Sequence, residues 1–86
     1  MHSILIANPA AKQLDALPEQ TARRVHAAII ALADNPRPHG CKKLRAWPPL
    51  YRIRVGDYRV VYDVDDHTQT VLVLHIEHRR DIYRDL

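Results

Sequence analysis

Residues 50–64, LYRIRVGDYRVVYDV, constrain the fold of this chain more tightly than any other stretch. Apolar or aromatic residues alternate with arginine on both sides of Gly56-Asp57, the period-2 pattern of a half-buried strand. Gly followed by Asp suits the two central positions of a type II′ turn, whose first position needs a positive φ. A hairpin closed there sets Val55 opposite Tyr58, Arg54 opposite Arg59, Ile53 opposite Val60, Arg52 opposite Val61 and Tyr51 opposite Tyr62. Successive side chains point to opposite faces of a strand. One face therefore carries Tyr51, Ile53, Val55, Tyr58, Val60 and Tyr62 and suits a core, while Arg52, Arg54, Arg59 and Val61 share the other. A slip of one residue would mix the two sets.

The arginine face is the first functional signal. Like charges directly opposite one another weaken a sheet by up to about 1 kcal/mol per pair. Arg54 facing Arg59 is a poor structural choice unless an anion lies on it. Guanidinium groups fixed on strands make planar forks that match phosphate oxygens. The competing reading is a solvated face balanced by Asp57 and Asp63, and three arginines converging on one patch favour the anion site over it. Charge elsewhere leans the same way. The formal net charge is only +3, yet residues 37–59 hold seven bases (Arg37, Lys42, Lys43, Arg45, Arg52, Arg54 and Arg59) against one acid, Asp57. Arg79, Arg80 and Arg84 form a second cluster. Such concentration is the footprint of a polyanion site, or of a docking surface for an acidic protein.

A chain of 86 residues is expected to form one domain, residues 1–86, around one modest core. With no Phe, that core falls to Leu, Ile, Val and the tyrosines. No apolar run approaches transmembrane length and no signal pattern opens the chain. The lone Cys41 excludes an internal disulfide. A cytoplasmic protein with no membrane contact is expected.

The remaining elements follow around the hairpin. Residues 2–7, with Ile4, Leu5 and Ile6, read as a first strand. Asn8-Pro9 predicts a helix start with Asn8 as N-cap, and Ala10, Leu14 and Leu17 give that helix an apolar face. A second helix is predicted over residues 18–34, where Ala22, Val25, Ile29 and Leu32 recur at spacings of three and four. Glu19 and Arg23 form a surface pair one turn apart; Arg23, Arg24 and His26 read as solvated. The two helices are expected as a hairpin lying across the sheet. Residues 35–49 contain four prolines and read as an irregular connection carrying Lys42, Lys43 and Arg45, with Trp47 pinning it to the core. A turn at residues 65–68 then leads to a strand over residues 69–76. Leu72, Leu74 and Ile76 on one face and Val71 and Val73 on the other make it central or covered. Ile82 is expected to tuck into the core as the tail leaves this strand, and the tail can bring Arg79 or Arg80 and Tyr83 beside the arginine face.

Several chemistries lack their residues. Gly40 and Gly56 are the only glycines, so there is no Gly-rich phosphate loop, and Ser3 is the only serine. Asp63, Asp65 and Asp66 sit near a turn and read as solvated. His39, Cys41, His75, Glu77 and His78 match no metal-site spacing, and no metal or other cofactor is expected. What remains is an arginine cluster with a tyrosine. That set suits electrostatic stabilisation of a phosphoryl transition state whose nucleophile belongs to the substrate. RNA supplies one, the 2′-hydroxyl beside each phosphate.

Leu44, the segment YRIRVGDYRVVY over residues 51–62, the strand after it and the tail HRRDIY over residues 78–83 resemble the RelE/ParE superfamily of type II toxins. The resemblance covers nearly the whole chain. It implies an α+β fold of order βααβββ, with a small antiparallel sheet packed against a helical hairpin. It also implies a cognate antitoxin as partner, with operator DNA reached only through the toxin–antitoxin complex. RelE-like members enter the ribosomal A site and cut mRNA by 2′-hydroxyl attack, leaving a 2′,3′-cyclic phosphate; ParE-like members inhibit DNA gyrase instead.

Carried over residue by residue, the RelE-like catalytic set falls on Arg52, Arg54, Arg59, Arg79 and Tyr83, with Arg80 a rival to Arg79. Lys42, Lys43, Arg45 and Arg80 are the further RNA contacts. RelE-like members carry lysines where this chain has Arg52 and Arg54. Arginine keeps its proton, so neither is a general base. Tyr83, a phenol with an ordinary pKa of about 10, would need a strong downward shift from its neighbours. His75 or His78 is the other candidate, since an imidazole ordinarily titrates at about 6.5. The expected activity is ribosome-dependent mRNA cleavage; the alternatives are a ParE-like gyrase inhibitor and an inactive, antitoxin-binding member. Antitoxin contact is expected on the basic patch and on an outward face at Val71 and Val73.

Overall fold

The hairpin closes in the register its residue pattern requires. Strands β3 (Leu50–Val55) and β4 (Tyr58–Asp65) pair antiparallel, with Tyr51 opposite Tyr62, Arg54 opposite Arg59 and Val55 opposite Tyr58. Gly56 takes φ 60° while Asp57 stays out of the positive region, which fits a type II′ turn and excludes type I′. The computed structural model describes residues 1–45 and 48–80. Trp47, Ile82 and Tyr83, expected as a loop pin, a core residue and a site residue, lie outside the described residues.

The other described elements are β1 (Ser3–Ile6), α1 (Asn8–Asp15), α2 (Glu19–Ala31), β2 (Lys42–Leu44) and β5 (Thr70–His78). The sheet order is β1-β5-β4-β3-β2. The α+β class and the helical hairpin follow the expectation, with two differences in the sheet. β1 joins it parallel to β5, Ser3 opposite Thr70 and Ile6 opposite Val73, so the sheet is mixed. The connection read as irregular contains β2, three residues pairing antiparallel with β3. So short an edge strand leaves no period to detect.

Pro9 sits in the first turn of α1, but Ala7 rather than Asn8 is the N-cap, and no side chain caps the helix. Tertiary bonding decides this: the Ala7 N–H donates to the Val73 carbonyl at 2.8 Å, which carries the strand conformation to the helix start. Pro18 caps α2 and Glu19 occupies its first turn, where a carboxylate favours the helix dipole. That helix ends at Ala31, three residues before the expected Asp34. Its buried stripe is Val25 and Ile29, continued by the C-cap residue Leu32. These pack with Ala10 of α1 and with Ile53, Val60, Tyr62, Val71, Val73 and Ile76 of the sheet. Each such aliphatic side chain contributes about 1.5–3 kcal/mol by leaving water.

Val71 and Val73 are fully buried in this core, which corrects the expectation that they face outward. A strand apolar on both faces carries no parity signal. The outward positions before the bulge are Thr70 and Leu72, opposite Ser3 and Leu5 of β1. Between Val61 and Tyr62 the register shifts: Val61 faces His75 and Tyr62 faces Val73, leaving Leu74 as the extra residue of a β-bulge. Inward residues therefore switch from Val71 and Val73 to Ile76. The Ile76 N–H donates to Gln13 Oε1 on α1 at 2.7 Å, so a helix side chain satisfies a backbone group beside the bulge. β5 runs past the expected Ile76 because Glu77 and His78 still pair with Arg59 and Tyr58.

Candidate functional site

On the sheet face away from the helices, two clefts share a wall. The first, about 150 Å³, is lined by Arg54, Gly56, Asp57, Arg59 and Arg79. The second, about 190 Å³, is lined by Gly40, Lys42, Arg52, Ile53, Arg54 and Arg59. Register brings these groups together: Arg54 is opposite Arg59, and Arg52 is opposite both Val61 on β4 and Lys42 on β2. Cross-strand partners project from one face.

Arg79 arrives through the backbone. Its N–H donates to the Asp57 carbonyl at 2.7 Å, tying the end of β5 to the hairpin turn. The adjacent Gly56 carbonyl accepts from Arg54 Nε at 3.1 Å. One two-residue turn thus anchors two arginines of the cleft, and the remaining N–H groups of the Arg54 guanidinium stay available to a ligand. Among the described residues none of Arg52, Arg54, Arg59 and Arg79 forms an ion pair; the pairs found are Arg23–Glu19 and Arg37–Asp66, and His2 Nε2 lies 3.2 Å from Asp66 Oδ1. Asp57 and Asp63 do not neutralise the face. An anion seated there would make charge-assisted hydrogen bonds, each with a net value of about 1.5–3 kcal/mol.

Of the other expected residues, Lys43 shares the face of its partner Tyr51, away from the clefts. Arg45 and Arg80 line neither cleft. The two candidate histidines separate. His78 is opposite Tyr58 on the helix side, its ring edge-on to that tyrosine at 5.0 Å and its Nδ1 accepting the Arg80 N–H at 3.1 Å. His75 and Glu77 face the arginines instead, opposite Val61 and Arg59. In the sequence Glu77 reads only as one of five residues that match no metal-site spacing, and the bulge that turns it outward has no local signature. Among the described residues no three His, Cys, Asp or Glu side chains group as a metal site. None of the described helices is long and apolar enough to cross a membrane.

Arg37, part of the basic run, belongs elsewhere. Its Nη2 and Nη1 donate to Asp66 Oδ2 and Oδ1 at 2.9 and 3.3 Å, and its guanidinium carbon stands 4.9 Å from the Tyr51 ring centroid. The hydrogen bond from Arg37, then that from His2, hold the Asp66 carboxyl below its ordinary pKa. Nearby, Tyr62 Oη donates to the Pro36 carbonyl at 2.6 Å, and burial first of all pushes this phenol above its usual range. This cluster fastens the 35–41 loop to the sheet.

Residues 4–83 match the family model described as "ParE toxin of type II toxin-antitoxin system, parDE". The chain belongs to the RelE/ParE toxin superfamily. It is 36% identical to Toxin RelE of Mycobacterium tuberculosis over 84 residues, covering 96% of this chain and 87% of that one. To Toxin RelG of the same organism it is 34% identical over 92 residues, covering 96% and 97%. An archaeal RelE in complex with RelB, from Pyrococcus horikoshii, superposes with a TM-score of 0.82 at 30% identity, covering 91% of this chain and 94% of that one.

Proposed function

We propose that this type II toxin is a ribosome-dependent mRNA endonuclease whose Arg52, Arg54, Arg59 and Arg79, with Tyr83 of the tail, act on one phosphodiester in the A site. The observation that carries the reading is the meeting of Arg54, Arg59 and Arg79 in one cleft without an ion-pair partner among the described residues. The RNA brings its own nucleophile. Its 2′-oxygen bonds to phosphorus, the bond from phosphorus to the 5′-oxygen breaks, and a 2′,3′-cyclic phosphate and a 5′-hydroxyl result. The 2′-hydroxyl proton passes to a base and the leaving 5′-oxygen takes one up. Arginines hold the phosphate in line and meet the negative charge that builds on its oxygens; one such donor is typically worth about 10²–10³ in rate. No arginine serves as the base. His75, on the arginine face, and Tyr83 are the groups to test for it.

Solved relatives pair RelE with RelB, and the same logic gives this chain a cognate antitoxin. Its acidic residues would neutralise the clefts, and its apolar residues would cover the outward Leu5 and Leu72, of which Leu5 is 55% exposed. Operator DNA would be met through that complex.

Mapping of mRNA 5′ ends in a purified translation system tests the activity. New ends inside the A-site codon are expected, absent on naked RNA and absent with Arg59→Ala. The matched family model is described as a ParE toxin, and the resemblance to ParE-like members makes gyrase inhibition the second reading. Intact mRNA together with blocked gyrase supercoiling, persisting in Arg54→Ala and Arg59→Ala, would select it.

A further inference from the structure

We infer that single-stranded RNA held in this site continues over the tip of the β3–β4 hairpin to Arg24 on α2, whose guanidinium binds the backbone beyond the scissile phosphate. The inference rests on the anion-site reading above and adds a residue and a path to it. A third cleft, about 200 Å³, is lined by Thr21, Arg24, Val55, Gly56, Asp57 and Tyr58. It shares Gly56 and Asp57 with the first cleft, as the first shares Arg54 and Arg59 with the second. The three run in series round the hairpin tip. Each contributes cations that the other two lack: Lys42 and Arg52, then Arg79, then Arg24.

Arg24 is set against the turn itself. A Cβ placed on Gly56 would lie 3.8 and 3.9 Å from its Nη1 and Nη2, so the bare glycine separates this guanidinium from the arginine cleft without a side chain in the way. The adjacent Arg23 is engaged within the helix by Glu19 at 2.6 Å, whereas Arg24 is exposed and makes no ion pair among the described residues. One of two neighbouring arginines is neutralised and the other is turned to the hairpin. The first and third clefts meet at Gly56 and Asp57, so one strand crossing the turn can place a phosphate in each. Tyr58 adds an aromatic wall on which a base can stack.

The experiment uses the whole toxin and fluorescent 2′-O-methyl oligonucleotides of two to five nucleotides, which lack the nucleophile. Affinity is read by anisotropy for the wild type, Arg24→Ala, Arg24→Lys and Arg59→Ala. Wild-type affinity is expected to rise with length. Arg24→Ala should match it on the dinucleotide and fall about tenfold behind on the longest strand, the size of one charge-assisted contact. The slope of log K against log salt should shrink by about 0.7, the single-strand value for one phosphate, and Arg24→Lys should restore most of both. A drop of equal size at every length would make Arg24 a brace for the turn and overturn the inference; so would no change at any length. A wild type that binds no oligonucleotide, or an Arg59→Ala that binds as the wild type does, would overturn the anion-site reading as well. Binding at short lengths lost in Arg59→Ala, with no length-dependent loss in Arg24→Ala, would sink the path alone.

Discussion

The two ends of β4 use the same residue types in opposite ways. Where β4 runs into the β4–β5 turn, Arg37, Asp66 and His2 satisfy one another, and Tyr51 and Tyr62 stack beneath with ring centroids 6.0 Å apart. At the start of β4, Arg54, Arg59 and Arg79 crowd one cleft with no carboxylate partner among the described residues. Eight residues of strand separate the two ends. A mutually satisfied cluster lowers the energy of the fold and has nothing left to offer a ligand. An unsatisfied one carries like-charge repulsion that an added anion relieves. Charge density alone does not separate the two ends; what separates them is whether the charge has a partner.

Arg59→Ala tests the contrast most severely. Cleavage in single turnover on programmed ribosomes should slow by about 10²–10³-fold, while thermal denaturation should change by no more than about 0.5 kcal/mol. A large loss of stability with a modest loss of rate would place Arg59 with Arg37 among the fastening residues. Gly56→Val comes next. A branched side chain at φ 60° costs about 1–3 kcal/mol, and the rate should fall with it because the turn carbonyls that anchor Arg54 and the Arg79 backbone move. Wild-type cleavage by a destabilised Gly56→Val would free the arginines from the turn. Tyr62→Phe works at the other end: removing the donor to Pro36 should cost about 1 kcal/mol in urea denaturation and leave cleavage unchanged.

The smallest effect is in the pH dependence of stability, and it too belongs to the satisfied end. Asp66 has its folded pKa lowered, so its contribution is complete above the ordinary carboxylate range and lost as pH falls through the folded value. Tyr62 has its folded pKa raised, so its contribution is complete below about pH 10 and declines as pH rises above it, where the unfolded phenol ionises first. Stability should be level between these limits. Asp66→Asn should flatten the acid arm and Tyr62→Phe the alkaline one; arms that persist in both variants would move the titrating groups elsewhere.

Much of this was legible in the residues. The hairpin could be paired residue for residue because its two faces differ in chemistry and Gly56 suits only one kind of turn. Arg52, Arg54 and Arg59 followed from that register. Arg79 could be placed near them as a possibility of the tail, and a backbone hydrogen bond to Asp57 makes it so. The assignment of Val71 and Val73 outward failed because both faces of β5 are apolar there, and pattern carries no information where the two faces look alike. β2 escaped because three residues make no period. Arg24 escaped because its partner lies 32 residues away in the chain, across a packing contact that local sequence does not encode.

By itself the sequence determined whatever rests on local alternation and on turn chemistry: the hairpin, its register, the arginine face, and the buried stripe of α2. Neighbouring residues impose those choices on each other through steric and period rules that act within a few bonds. Only the tertiary structure decided which face of β5 turns inward, that the bulge at Leu74 sends His75 and Glu77 toward the arginines while His78 packs on Tyr58, and that Arg37 is spent on Asp66 while Arg24 meets the hairpin tip. Those outcomes depend on contacts between distant segments, where a one-residue shift in a strand exchanges its faces.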